Sequence, residues 1–293
     1  MLEQGPIIVT LDGSELAEGA LPYATKLAAA LHTHLVLVTV SEATEGELGA
    51  RFPDLKLDID QSADAYFQTY LERVRDRLQQ PEARIIVLGG DATEQILNAA
   101  NETGARMIVM ATHGRSGLRR WGYGSQLSKM AASSPVPVLA VGPQILEGKG
   151  AAELRRILVP LDGSKFAEAA LPAARTLADA LGAHVVLLRV QPWAATTYPY
   201  VASATYTPAI DDALEDEARI YLLQQVKAFS PPAEMRVARG DPAAAIIDLV
   251  NSAGVDLIVM STHARQGLFR AALGSVADRV IQANAPVLLI RPE

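Results

Sequence analysis

The sequence predicts an α/β protein of two tandem doubly wound domains, each a five-stranded parallel sheet of order 3-2-1-4-5 flanked by helices. Three observations lead there. The chain has 293 residues, about two domains' worth at roughly 100–200 residues each. It also repeats itself. IIVTLDGSELAEGALPYATKLAAALHTHLVLVTV, from Ile7, matches ILVPLDGSKFAEAALPAARTLADALGAHVVLLRV, from Ile157, with about 20 of 34 positions identical. MIVMATHGRSGLRRWGYGSQ, from Met107, matches LIVMSTHARQGLFRAALGSV, from Leu257, at the same shift of 150 positions. One register shared by two separate blocks means one domain present twice. Finally, short Val/Ile/Leu runs take turns with helical patterns. Strands that are apolar on both faces belong to a parallel sheet covered by helices.

The elements follow in order. Ile7–Leu11 is an apolar strand bounded by Gly-Pro and Asp-Gly. Ser14 suits an N-cap, and Glu15 and Glu18 favour the first turn of the helix after it. Residues His34–Val40, Arg84–Leu88, Arg106–Met110 and Val138–Val141 read as strands, and Tyr66–Leu78, Thr93–Ala100 and Ser125–Ala132 as helices. In the second half, Ile157–Leu161, His184–Val190, Met235–Val237, Leu257–Met260 and Val287–Ile290 read as strands. The predicted domains are 1–146 and 154–293, joined through a polar, Gly-containing linker at 147–153. Segments Ser41–Ile59 and Gln191–Ile210 have little regular pattern and read as long loops.

Composition narrows the function classes. Hydrophobic residues at 49% and charged residues at 20% fit an ordinary globular protein. A net charge of −7 argues against sequence-independent binding to nucleic acid or anionic lipid. The absence of Cys removes disulfides, thiolate zinc sites and Cys nucleophiles. No signal-peptide pattern and no apolar run of membrane-spanning length is seen, so the expected location is cytoplasmic and no membrane partner is expected.

In a doubly wound sheet, ligands gather at the carboxyl ends of the strands. Three segments per half arrive there. Asp12-Gly13-Ser14 and Asp162-Gly163-Ser164 follow strand one. Each Asp is equally suited to a ribose or adenine contact and to a plain turn into a helix. The second segment follows strand four: Thr112-His113-Gly114-Arg115-Ser116-Gly117, running on to Gly124-Ser125. Glycines present backbone N–H groups unobstructed, and the next helix N-terminus favours an anion, so a phosphate is the better reading than a solvated loop. Arg115, Arg119 and Arg120 add positive potential. The third segment, Gly90-Asp91 and Gly240-Asp241-Pro242, reads as a structural turn with Asp as N-cap.

These residues resemble the universal stress protein family over both halves nearly end to end, as a tandem member of its ATP-binding branch. That branch carries Gly-x2-Gly-x9-Gly-Ser/Thr after strand four. The aligned positions are Ala111, Gly114, Gly124 and Ser125 in the first half, and Ser261, Ala264, Gly274 and Ser275 in the second. The resemblance implies that Asp12 and Asp162 meet the adenine or ribose, and that Val40 and Val190 bind adenine through the backbone. It places Gly114, Gly124, Ser125 and Gln126 at the phosphates, with Gly274, Ser275 and Val276 as counterparts. Met110 and Arg115, and likewise Met260 and Arg265, complete the implied set. The implied cofactor is ATP, with ADP or AMP as alternatives and Mg as an optional companion. Family domains also pair through strand five about a two-fold axis. The resemblance therefore implies an intrachain pseudo-dimer with the two fifth strands adjacent, and leaves a homodimer of chains open.

Competing motifs are missing. There is no Gly-x-Gly-x-x-Gly after strand one and no Gly-x4-Gly-Lys-Ser/Thr. Ser14 and Ser125 do not sit in a Gly-x-Ser-x-Gly elbow, and no His pair has metal-ligand spacing on a helix. His113 and His263 read as loop-wall residues rather than catalysts. The leading expectation is a nucleotide-binding regulatory protein. The alternatives are a nucleotide-free stress protein acting through protein contacts and a very slow ATPase. Because only Gly is free of steric cost where φ turns positive near phosphate, Gly114 against Ala264 predicts tighter adenine-nucleotide binding by the first half. Calorimetry on residues 1–146 and 154–293 checks this, and tighter binding by the second half refutes it.

Overall fold

A computed structural model describes residues 2, 4–41, 63–112, 125–142, 153–191, 208–262 and 273–292. Linker residues 147–152 and most of the two long loops lie outside them. Strands β1 (Ile7–Thr10), β2 (Leu35–Ser41), β3 (Arg84–Gly89), β4 (Met107–Ala111) and β5 (Val138–Val141) form the first half-sheet, in the order β3-β2-β1-β4-β5. Strands β6 (Arg156–Leu161), β7 (His184–Gln191), β8 (Glu234–Arg239), β9 (Leu257–Ser261) and β10 (Val287–Ile290) repeat that order. All pairs within each half are parallel, which bears out the expected fold class. β5 and β10 pair antiparallel, Val138 with Leu289, Leu139 with Leu288 and Ala140 with Val287. One mixed ten-stranded sheet results.

The helices are α1 (Glu15–Glu18), α2 (Leu21–Ala30), α3 (Ala63–Leu78), α4 (Ala92–Thr103) and α5 (Ser125–Ser133), then α6 (Lys165–Glu168), α7 (Leu171–Leu181), α8 (Pro208–Val226), α9 (Pro242–Ala253) and α10 (Ser275–Val280). One face of the sheet is packed by α2, α3, α7 and α8, through residues such as Leu27, Leu71, Leu177 and Leu222. The other is packed by α4, α5, α9 and α10, through Ile96, Leu127, Ile246 and Val280. Both apolar layers run through both halves. The neighbours Leu288 and Leu289 enter opposite layers, as alternating strand side chains must.

Local chemistry explains most boundaries. Ser14 Oγ accepts from Ala17 N, and Ser164 Oγ from Ala167 N, each at 3.1 Å, as expected of N-caps. The helix expected after Ser14 is divided in two. Gly19-Ala20 intervenes, and Pro22 sits in the first turn of α2, where its missing N–H costs nothing. The second half divides alike before Pro172. Asp91 caps α4 by accepting from Glu94 N, and Asp241 caps α9 by accepting from Ala244 N. These are the structural turns the sequence suggested. β8 is longer than the expected Met235–Val237 because its parallel partner β7 pairs along all six residues. α8 begins at Pro208, inside the segment read as a loop.

Two partly buried contacts tie the outer helices to α1 and α6, the short helices that follow the strand-one turns. The Tyr70 hydroxyl of α3 donates to Glu18 at 3.0 Å, and the Tyr221 hydroxyl of α8 donates to Glu168 at 3.2 Å. Burial first, then the adjacent carboxylate, pushes both phenols well above the ordinary tyrosine range. An unfolded chain ionises its tyrosines near pH ~10. Above that pH the unfolded state holds fewer protons than the native one, so stability falls as pH rises. Below it the contribution is complete. Urea melts at about pH 8 and about pH 11 are expected to show a drop that shrinks in Tyr70→Phe and Tyr221→Phe. An equal drop in the double variant refutes the assignment.

Leu288 is fully buried opposite Leu139 where the half-sheets meet. Leu288→Lys leaves an unpaired ammonium there and is expected to cost on the order of 3 kcal/mol or more. Small-angle scattering should show a larger radius of gyration as the halves loosen. An unchanged radius and melting temperature would contradict this.

Candidate functional site

The carboxyl ends of β6, β7 and β9 and the first turns of α9 and α10 enclose a cavity of about 290 Å³. This is near the lower end of the ~300–1,000 Å³ usual for small-ligand sites. Its lining gathers six residues singled out in the sequence: Asp162, Val190, Met260, Gly274, Ser275 and Val276. The seventh of that half, Arg265, lies outside the described residues. Pro160, Phe166, Leu188 and Ile246 supply apolar walls, suited to a flat ring, with polar residues at the strand ends and at Ser275, the start of α10.

The first half places Asp12, Val40 and Met110 after or at the ends of β1, β2 and β4, and Ser125 and exposed Gln126 at the start of α5. Gly114, Arg115 and Gly124 lie outside the described residues, as do His113 and His263.

The strand-one Asp has a demonstrable structural duty. Asp162 Oδ1 accepts from Ser164 N at 2.9 Å and from Ser164 Oγ at 2.5 Å. Asp12 Oδ1 does the same with Ser14, at 2.9 and 2.6 Å. One carboxylate oxygen therefore braces the turn in each half. Gly163 (φ +84°) and Gly13 (φ +82°) complete these turns in the left-handed region that favours glycine. A Cβ at Gly163 would also collide with the Arg189 guanidinium.

Two contributors escaped sequence reading. Thr262, 2% exposed, lines the cavity, and its Oγ1 has no hydrogen-bond partner among the described residues. An orphaned buried hydroxyl is costly, and a polar ligand in the cavity would satisfy it. The residues present thus fit a group with an apolar ring and oxygen-rich substituents. Its only sequence signal was its place directly after a buried strand. Arg189 is the other. At the aligned position the first half has Thr39, whose hydroxyl donates to Leu11 O. Arg189 instead lies 5.4 Å over the Tyr221 ring, with Nε and Nη1 buried and without a hydrogen-bond partner among the described residues. It sits on the opposite face of β7 from the cavity-lining Leu188 and Val190, so it supports the Gly163 turn from behind. Among the described residues, no group of three or more His, Cys, Asp or Glu is placed to hold a metal. No helix among them is long and apolar enough to cross a membrane.

Comparison with known proteins agrees with this architecture. The family model described as the universal stress protein family matches residues 5–142 and again 153–291. A universal stress protein of Bacillus subtilis is 32% identical over 145 residues, covering 46% of this chain and 98% of that one. One of Mycobacterium bovis is 29% identical over 196 residues, covering 64% of this chain and only 62% of its own length. The solved structure of a universal stress protein from Archaeoglobus fulgidus matches at TM-score 0.66 and 18% identity, over 98% of each chain, a likeness of fold. With the family model matched once in each half, over most of the chain, this protein belongs to the universal stress protein family as a tandem two-domain member.

Proposed function

We propose that this chain is an adenine-nucleotide-binding stress-response regulator that holds ATP, ADP or AMP at the carboxyl end of each half-sheet. The observation that carries the reading is the second-half cavity, whose lining gathers Asp162, Val190, Met260, Gly274, Ser275 and Val276. In this reading Asp162 keeps one oxygen on Ser164 and meets the ribose or base, and the Val190 backbone meets the adenine edge. Ile246 and Leu188 pack the ring. Gly274, Ser275, Val276 and Arg265 face the phosphates, and the Thr262 hydroxyl gains its missing partner. Asp12, Val40, Met110, Gly114, Arg115, Gly124, Ser125 and Gln126 take the corresponding roles in the first half. The nucleotide supplies negative charge and a hydrophobic ring, and the chain's residues bind and orient it. No nucleophile paired with a base stands among the described cavity residues, which favours binding over turnover.

The two halves work, in the same proposal, as an intrachain pseudo-dimer. The antiparallel β5–β10 pairing supports it. So does the length of the tether, because a short linker raises the local concentration of one half near the other to about the millimolar range.

Mass spectrometry of small molecules released on denaturing the purified protein tests the ligand class. An adenine nucleotide is expected. A protein that carries none, and binds none in calorimetry, favours the reading in which it acts through protein contacts alone. Gly274→Val separates site from fold. Gly274 has φ −58°, and a Cβ there meets nothing within 4 Å, so stability should change by no more than about 0.5 kcal/mol. The side chain projects at the cavity lining, and second-half affinity is expected to fall about tenfold or more. Unchanged affinity removes this loop from the site.

A further inference from the structure

The three large hydrophobic side chains that stand exposed among the described residues all belong to one edge of the molecule. They are Ile220 (60%) and Leu223 (51%) on α8 and Met235 (39%) on the neighbouring edge strand β8. α8 buries Ala218 and Leu222 against the sheet. It sends Tyr221 inward to Glu168, and ties Glu215 to Arg239 on β8. Asp216, Ile220, Leu223 and Lys227 are all exposed. Their spacing of four, three and four residues forms the seam along which two helices pack in a coiled coil. Lys227 stands in the turn that continues the helix, where Ala228 N donates to Gln225 O at 3.1 Å.

From this pattern we propose that α8 is a docking surface for a second copy of the same chain, with the two α8 helices packed antiparallel about a two-fold axis. The seam is complementary to itself in that orientation alone. Antiparallel packing sets Ile220 against the partner's Leu223 and Leu223 against the partner's Ile220. It also places Asp216 against the partner's Lys227 at each end. Parallel packing would stack Asp216 on Asp216 and Lys227 on Lys227, which is repulsive. The surface is specific to the second half. The Tyr70 and Tyr221 contacts with Glu18 and Glu168 align α3 with α8. The seam positions on the α3 side are then Ala65, Thr69, Glu72 and Asp76, with no apolar centre and no cation. One patch per chain, facing its own copy, makes a closed pair rather than a filament. Two apolar and two ionic layers bury less than the ~800 Å² per partner of a standard interface. The pair is therefore weak, concentration-dependent and sensitive to salt.

Sedimentation equilibrium on the full chain from about 1 μM to about 1 mM tests it. The wild-type mass is expected to climb toward a dimer. Leu223→Glu, on the exposed face and so harmless to the fold, should raise the dissociation constant about tenfold or more. Asp216→Lys should weaken the pair as well. Adding Lys227→Asp to it should restore the affinity to within about threefold of wild type, a rescue that a general surface effect would not give. A chain that stays monomeric throughout overturns the proposal. So does a dimer indifferent to Leu223→Glu, or one lost in Val237→Pro alone, which would assign pairing to the β8 strand edge.

Discussion

The structure rests on the burial of its central strands on both faces. Ile7, Ile8, Val9, Ile108, Val109, Ile157, Leu158 and Val259 are all fully buried. A parallel strand in that position cannot be joined to its neighbour by a tight turn, so the chain must cross over through a helix. Alternation follows, and helices come to lie on both faces. Every β-to-α connection is then delivered to the carboxyl end of its strand, and the cavity forms where those connections diverge. The Asp162-Gly163-Ser164 turn, the Thr262 hydroxyl and the Gly274-Ser275 helix start are neighbours for that reason alone. They are far apart in the sequence.

Much of this was legible beforehand, because apolar runs and a repeat report directly on burial. Val138–Val141 and Val287–Ile290 were recognised to the residue. The interruption between α1 and α2 was not, although Leu21-Pro22 and Leu171-Pro172 carry it openly. The Ser14 cap and the apolar spacing beyond it mask the proline. The extent of β8 was missed because Glu234, Arg236 and Arg239 look like loop residues. They are strand residues at a solvent-facing edge, where charge guards against unwanted pairing. For the second-half cavity, residues at motif positions were found, and the wall was not. Ile246 enters from α9 and Phe166 from α6, and nothing local marks an apolar helix residue as facing a ligand rather than the core.

Duplication has left the halves with one frame and different fittings. The turn after strand one keeps the same hydrogen bonds in both copies. One position before the strand-two Val, the first half satisfies a threonine on the Leu11 carbonyl, whereas the second buries part of a guanidinium against Tyr221. Partly buried charge without an acceptor is expensive unless something offsets it. The ring face of Tyr221 is the offset visible among the described residues. The first half carries a tyrosine, Tyr70, at the position aligned with Tyr221, so the ring is present in both copies and the halves differ here by Thr39 against Arg189 alone.

The register between β5 and β10 carries a record of origin. Val138 pairs with Leu289, the repeat counterpart of Leu139, and Leu139 pairs with Leu288, the counterpart of Val138. This is the register in which two identical domains meet about a two-fold axis. A single-domain ancestor with this edge would have been a partner for itself before any gene fusion. Within one chain the two edges meet in a fixed one-to-one ratio. The seam keeps its constraint, since a change on either strand is felt by both domains, while loops far from it are free to acquire separate ligands.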